Sequence, residues 1–159
     1  MQEHEKFMRI TIKEALKSKE NGGAPTAAII VKNGEVISTG WSMVGINMDP
    51  SGHSELEAIK KACKKLNTLE LKGCTLYSTV ETCSMCLGCA SWSGLTSIVF
   101  GAYKEDIPGN SYAIKEYNLE TESSRMDPEI STIGGVLGKE CAELMKDYEN
   151  WMPAGNSNS

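Results

Sequence analysis

One histidine, one glutamate and two cysteines stand at spacings that could hold and use a metal ion. Glu55 follows His53 by two residues, and Cys83 and Cys86 form a Cys-x2-Cys pair further along the chain. An imidazole and two thiolates are one ligand short of the closed tetrahedral set of a structural zinc site. Catalytic zinc keeps that fourth position for water, which then loses a proton near neutral pH. Glu55 is placed to move that proton.

Both halves of this set are predicted to begin a helix. Ser51-Gly52 leads into a helical pattern with Leu56 and Ile59 on one side, and residues 83–92 read as a short helix after a buried strand at 74–79. A helix N-terminus carries partial positive charge, which favours a carboxylate or a thiolate there. The sequence therefore predicts that two helix N-termini converge on one ion at the edge of a sheet.

Each part of the set has another interpretation when it is taken alone. A lone histidine is more often a surface or core residue than a ligand, and a cysteine pair can be apolar packing or a redox pair. The combination favours the metal site. Cys89 extends the pair to a C-x2-C-x2-C run, as in some iron–sulfur proteins, but no fourth cysteine follows at the right spacing. Cys89 would point away from Cys83 on a helix, so we expect it in the core.

The remaining predicted elements alternate between helices and strands after an initial hairpin. They are a first helix through residues 7–16, hairpin strands at 27–31 and 35–39 around Asn33-Gly34, strands at 97–100 and 130–133, and a last helix at 136–151. Residues 113–117 favour neither type. This order predicts an α/β protein, a three-layer α/β/α sandwich with a mixed sheet. We expect a single domain at 1–152 and a flexible tail at 153–159.

The composition and charge of the chain disfavour several classes of protein. The chain has 159 residues, of which 40% are hydrophobic and 23% charged, which argues against disorder. Its longest apolar stretch is too short to cross a membrane and its first residues lack signal-peptide order, so we expect a soluble cytoplasmic protein. The formal net charge of −5 disfavours a broad phosphate-binding surface. Four lysines, Lys60, Lys61, Lys64 and Lys65, are interpreted as a solvated helix face.

With these motifs, the chain resembles the cytidine deaminase superfamily, in the branch of guanine deaminases, fungal-type cytosine deaminases and tRNA adenosine deaminases. The segments that carry the resemblance include 22–25, Asp49-Pro50 before His53, 76–79, 86–88 and 134–137. The resemblance implies that His53, Cys83 and Cys86 bind zinc and that Glu55 shuttles protons. It also implies a five-stranded mixed sheet between helices, a homodimer with active sites near the interface, and hydrolytic deamination that releases ammonia.

The chain departs from the family at two positions beside the expected site. Thr82 stands where the family usually has proline before the first cysteine, which changes the turn but removes no ligand. Ser42 stands where the family commonly has an asparagine that hydrogen-bonds the base, so base recognition is expected to differ. Trp92 falls where guanine deaminases carry tryptophan; it could stack on a base or pack in the core. Ser42 and Trp92 are therefore the candidate substrate-binding residues.

These features favour a free nucleobase or nucleoside as the substrate, with guanine narrowly first and cytosine as an alternative. The segment 134–137 is similar to that of tRNA adenosine deaminases, which is a further alternative, but the chain lacks their basic tail and we expect no nucleic-acid partner. A different class is a catalytically inactive structural-zinc interaction protein. It would need a fourth ligand, for which Cys89 is the nearest candidate. Trp92 and the helix from Cys83 are the candidate dimer interface.

Overall fold

The computed structural model describes residues 1–107 and 114–148. Within them the chain forms six α-helices, five β-strands and one short 3₁₀ turn. In chain order these elements are α1 Gln2–Glu20, β1 Ala27–Lys32, β2 Glu35–Trp41, α2 Val44–Asn47, α3 Ser54–Leu66, β3 Cys74–Val80, α4 Ser84–Trp92, β4 Ser97–Ala102, the 3₁₀ turn Lys104–Asp106, α5 Leu119–Ser124, β5 Ser131–Ile133 and α6 Gly138–Met145.

The five strands form one mixed sheet in the order β2-β1-β3-β4-β5. Strand β1 runs antiparallel to both β2 and β3, whereas β3, β4 and β5 are parallel. Strands β2 and β3 therefore run in the same direction and end at the same edge of the sheet. They are separated by β1 alone, so their ends lie about 10 Å apart at the usual strand spacing. That distance lets side chains from the segments after β2 and β3 meet.

Helices cover both faces of the sheet, which confirms the three-layer α/β/α prediction. On one face α3 and α4 pack against the inward side chains of β1, β3 and β4, including Ile30, Leu76 and Ile98. On the other face α1 and α6 pack against the alternate side chains, including Ile29, Tyr77 and Val99. This alternation follows from the two-residue period of a strand, and it buries both faces of the central strands.

Most predicted elements are found, with boundaries shifted by one to a few residues. The hairpin turns at Asn33-Gly34, where both residues have positive φ (51° and 76°), as a tight β-hairpin turn requires. The last helix was predicted too long. It begins at Gly138 rather than 136, because Gly135 and Leu137 have φ of 81° and 53°, outside the right-handed helical region. It ends at Met145, and residues 146–148 are not helical.

Three predictions fall partly or wholly outside the described residues. They are the end of the last helix at 149–151, the tail at 153–159 and the first residue of the undecided segment 113–117. Residues 114–117 form no regular element. Helices α2 and α5 were not predicted. None of the helices in the described ranges combines the length and apolarity needed to span a bilayer.

Candidate active site

The candidate metal ligands occupy the starts of two helices. His53 is the N-cap residue of α3 and Cys83 is the N-cap residue of α4, both with extended backbone angles. Neither side chain makes the usual capping hydrogen bond to its own helix. Cys86 follows in the first turn of α4 and is completely buried. Both helix N-termini therefore direct a donor side chain to one place, as the sequence predicted.

The three donor atoms lie at the separations that a tetrahedral zinc ion requires. Nδ1 of His53 is 3.5 Å from Sγ of Cys83 and 3.6 Å from Sγ of Cys86. Zinc bonds of about 2.0 Å to nitrogen and about 2.3 Å to sulfur, at a tetrahedral angle, separate the two ligand atoms by about 3.5 Å. The geometry fits the metal, with Nδ1 as the ligating nitrogen. Among the described residues this is the one group of three or more potential ligands brought this close.

The protonation of the two thiols differs because they are hydrogen-bonded to each other. The hydrogen bond from Cys86, together with the one from His53, lowers the pKa of Cys83 to about 4 against the opposing effect of burial. The same bond and burial raise the pKa of Cys86 well above its usual value. The hydrogen bond to Cys83 also raises the pKa of His53. A bound divalent cation would favour the thiolate form of both cysteines, since metals bind deprotonated sulfur.

Glu55 lies beside this group and is almost completely buried, with 4% of its surface exposed. Its Oε1 accepts hydrogen bonds from the hydroxyls of Ser78, at 2.8 Å, and Ser54, at 3.2 Å. Burial raises the pKa of this carboxyl, with a further contribution from negative charge on Cys83. The charge of His53 and the hydrogen bonds from Cys86 and Ser78 oppose the shift. A buried carboxyl with a raised pKa, held on one oxygen, is suited to accept and return a proton at the other.

Gly40 allows α3 to pack closely against β2 and thereby fixes the positions of His53 and Glu55 relative to the sheet. A Cβ atom at this position would stand 2.0 Å from the carbonyl oxygen of Ser54 and 2.4 Å from the backbone nitrogen of Ala58. Ser38, on the same strand, donates a hydrogen bond to the carbonyl of Ala58 at 2.7 Å. The first turns of α3 are therefore fixed to the strand by direct backbone contact.

Sequence comparison supports the same assignment. The family model of the cytidine and deoxycytidylate deaminase zinc-binding region matches residues 1–102, which hold all three candidate ligands and Glu55. The chain belongs to this deaminase family. As a member it is a zinc-binding deaminase, which confirms both the resemblance and the metal.

Two relatives of the chain from one organism carry different named activities. It is 34% identical over 148 residues to a tRNA-specific adenosine deaminase of Bacillus subtilis, covering 93% of this chain and 89% of that protein. It is 38% identical over 124 residues to a guanine deaminase of the same organism, covering 75% of this chain and 80% of that protein. Among solved structures, the protein NE0047 in complex with 8-azaguanine has a TM-score of 0.81 at 25% identity, with 89% of this chain and 81% of that chain covered.

The predicted substrate-binding residues of this deaminase lie apart from one another. Ser42 follows β2 and is buried, and the N–H of the next residue, Met43, donates to the carbonyl of Gly52 at 2.7 Å. Ser42 is thus tied to the turn that precedes His53. Trp92 ends α4, at the opposite end from the thiolates, and is 91% exposed. Within one protomer Trp92 does not line the site, and the alternative of core packing is wrong because the side chain lies in solvent.

The structure also shows where Cys89 and the four lysines of α3 lie. Cys89 is half-buried against the core beneath α3 and α4 and lies outside the ligand group, as expected. The four lysines of α3 are exposed, which confirms the solvated face. One of them, Lys60, pairs with Glu57 one helical turn earlier, at 2.6 Å.

Sequence reasoning missed three residues that surround the site. Ser78 is completely buried on β3 and holds Glu55. Glu81 is buried two residues before Cys83, and Tyr117 is buried in the segment that precedes α5. A polar residue within an apolar strand is the one signal that could have marked Ser78. Neither Glu81 nor Tyr117 carries a local signal, because their roles depend on segments distant in the chain.

Proposed function

We propose that this deaminase hydrolyses the exocyclic C–N bond of a purine and that a free base, with guanine first, is its substrate. The observation that carries the proposal is a set of three ligands beside a buried carboxylate held on one oxygen. Three ligands leave a coordination position open, as catalytic zinc sites do. A structural-zinc protein would need a fourth ligand, and none joins the group within residues 1–107 and 114–148.

In the proposed reaction Glu55 carries each proton. Zinc held by His53, Cys83 and Cys86 would supply a Lewis acid that makes water nucleophilic near neutral pH. Glu55 takes a proton from the attacking water while the water oxygen bonds to the ring carbon that bears the amine. Glu55 then delivers that proton to the ring nitrogen. It then transfers the remaining hydroxyl proton to the amine. Ammonia leaves, and the ring carbon becomes a carbonyl.

Two observations support a free purine over a polynucleotide. The similar protein NE0047 was solved with a purine analogue, 8-azaguanine, and one of the relatives is named a guanine deaminase. The chain carries a net charge of −5, and α6 presents the exposed carboxylates of Glu140 and Glu143. A surface that contacts several phosphates needs basic side chains along the track.

A tRNA adenosine is the second candidate, because one observation favours it. The tRNA-specific relative matches 93% of the chain, so the matched part extends well past residue 102 into the segments after β4. The guanine deaminase relative matches 75% of the chain. Both candidate functions use the same chemistry at the metal. They differ in the substrate that must bind beside the metal, a free base or a tRNA.

An ammonia-release assay on the zinc-loaded protein separates these candidates. The panel comprises guanine, cytosine, adenine, their nucleosides and a tRNA anticodon stem-loop that contains the target adenosine. We expect xanthine from guanine and no inosine in the stem-loop. Inosine in the stem-loop with no free base converted would replace the first candidate by the second. Zinc-loaded protein that releases ammonia from no member of the panel would favour the structural-zinc alternative.

We also propose that the protein is a homodimer in which Trp92 is covered by a second copy. A tryptophan 91% exposed at the end of a helix is costly in solvent, and burial against a partner would remove that cost. A two-fold dimer is the commonest soluble assembly. Light scattering at micromolar concentration should give the dimer mass for the native chain and a lower mass for Trp92→Glu. A monomeric native chain would refute the dimer.

A further inference from the structure

Glu81 joins three separate parts of the chain through its buried side chain. Its Oε2 accepts the backbone N–H of Lys104 at 3.0 Å, and its Oε1 accepts the backbone N–H of Leu119 at 3.3 Å. Its own N–H donates to the carbonyl of Ala102 at 2.9 Å. Only 6% of its surface is exposed. One carboxylate therefore uses both oxygens to fix two backbone positions to the end of β3.

Both amides that Glu81 accepts from stand at the start of a helical turn. Lys104 begins the 3₁₀ turn after β4, and Leu119 is the first residue of α5. The N–H groups there have no partner within their own helix, and a buried N–H without a partner is costly. A carboxylate is the strongest acceptor for such a position. The two bonds therefore determine where the segments on either side of Tyr117 begin.

Tyr117 lies between these two fixed points in the chain and is buried. It is 2% exposed and packs in the same cluster as Leu87 of α4 and Leu119 of α5. Nζ of Lys104 donates to its carbonyl oxygen and lies 5.8 Å from the centre of its ring. Burial raises the pKa of Tyr117, and the next contributions are the negative charges of Cys83 and Glu81.

We propose that Glu81 is a positioning residue that fixes the segments carrying Lys104 and Tyr117 to the end of β3, two residues before Cys83, so that this side of the reacting site keeps one shape. Glu81 stands two residues before Cys83 at the same strand end, so a displacement of the fixed segments is transmitted directly to the neighbourhood of the metal. Small displacements of this kind reduce reaction rates strongly, by up to about 100-fold for about 1 Å. The effect on turnover rests on the proposed deaminase function, whereas the effect on the backbone does not.

The test compares Glu81→Gln with Glu120→Gln in the zinc-loaded protein. In Glu81→Gln the side-chain amide would keep one acceptor oxygen and replace the other by a donor, so one of the two backbone amides loses its partner. Glu120 is the neighbour of Leu119 and is exposed, which makes its substitution a matched control. Hydrogen exchange of the Lys104 and Leu119 amides should accelerate at least about tenfold in Glu81→Gln and stay unchanged in Glu120→Gln. Glu81→Asp, which keeps both acceptor oxygens, should recover part of the protection.

Measurement of turnover in the Glu81 variants then distinguishes a positioning role of Glu81 from a purely structural one. At a temperature well below unfolding and at full zinc occupancy, kcat/KM should fall at least about tenfold in Glu81→Gln, with partial recovery in Glu81→Asp. Unchanged exchange at both amides would overturn the proposal, and so would faster exchange with unchanged kcat and KM. If Glu81→Gln does not fold, Glu81→Asp is measured against native protein, with the same outcomes at smaller amplitude.

A spectroscopic measurement keeps the inference testable if no substrate is turned over. Cobalt in place of zinc gives absorption bands from its bonds to Cys83 and Cys86, and these bands respond to the surroundings of the sulfurs. A shift of these bands in Glu81→Gln but not in Glu120→Gln supports the proposal that Glu81 fixes the surroundings of the sulfurs. Identical spectra in both variants would overturn it. Failure of the deaminase proposal and failure of this one are therefore distinguishable.

Discussion

The chain before residue 103 and the chain after it are built differently. Up to Ala102 it forms four of the five strands, the long helices α1 and α3, and both helix starts that carry the ligands. After Ala102 the described elements are a 3₁₀ turn, a helix of six residues, a strand of three and a helix of eight. The family match ends at the same residue. The first part therefore holds the whole candidate metal site, and the second part adds the last strand of the sheet and a helix that covers one of its faces.

Removal of a thiolate should give the largest effect and should abolish the chemistry of the first part. Cys86→Ala loses a ligand at a completely buried position. We expect loss of zinc, loss of turnover on every substrate and a lower unfolding temperature, because metal binding is coupled to folding. Metal analysis and thermal unfolding measure this, with Cys89→Ala as the matched control on the same helix. Full zinc occupancy in Cys86→Ala would remove Cys86 from the ligand set.

Glu55→Gln should stop proton transfer while leaving the metal bound. The amide keeps the size of the side chain and can still accept from Ser78, but it cannot take a proton. Turnover should fall by at least about 100-fold, the usual scale for a lost general acid–base. Zinc content and unfolding temperature should remain near native. Turnover within a few fold of native would mean that another group carries the proton.

Ser78→Ala should weaken catalysis less, because Glu55 stays but loses its nearest hydrogen bond, at 2.8 Å. A hydrogen bond to a charged group contributes about 1.5–3 kcal/mol, and Ser54 still donates to the same oxygen, so we expect the lower end of this range and a fall in kcat of about tenfold. Ser78→Thr keeps the hydroxyl and should restore most of the rate. The interpretation fails if alanine and threonine give the same rate.

Ser42→Asn should have the smallest effect and should alter binding rather than chemistry. The longer side chain supplies the amide that the family commonly uses to hold the base. We expect KM for the free base to fall a few fold with kcat little changed, which corresponds to about 1 kcal/mol of added binding. A large change in kcat would show that Ser42 acts on the reacting atoms. Steady-state kinetics on the best member of the substrate panel decides this.

The elements that the sequence predicted are those with local causes. The hairpin follows from Asn33-Gly34, α1 from its apolar spacing, and the ligand group from residue types that are rare at such spacings. The parallel course of β2 and β3, which brings His53 and Cys83 together, also agrees with the predicted mixed sheet. The hairpin and α1 need no knowledge of distant contacts, whereas the meeting of His53 and Cys83 depends on the order of the strands.

The features that the sequence did not predict depend on distant contacts. Glu81 accepts from residues 23 and 38 positions away, so nothing beside it in the sequence marks its role. Helix α5 has six residues and begins with a capping bond from the Thr121 amide to the Asn118 side chain, a signal too short to recognise alone. Trp92 lies in an apolar helix that suggests core packing, yet the helix ends there and exposes it.

The placement of His53 and Cys83 at the starts of α3 and α4 has a consequence for the unfolded chain. When a single ion ties these two points, it closes a loop of about thirty residues, as a covalent cross-link would. In polymer terms, closure of such a loop removes conformational freedom from the unfolded ensemble worth about 3–4 kcal/mol. The zinc ion of this protein thus acts as a reversible cross-link, and its contribution to stability depends on the concentration of free metal.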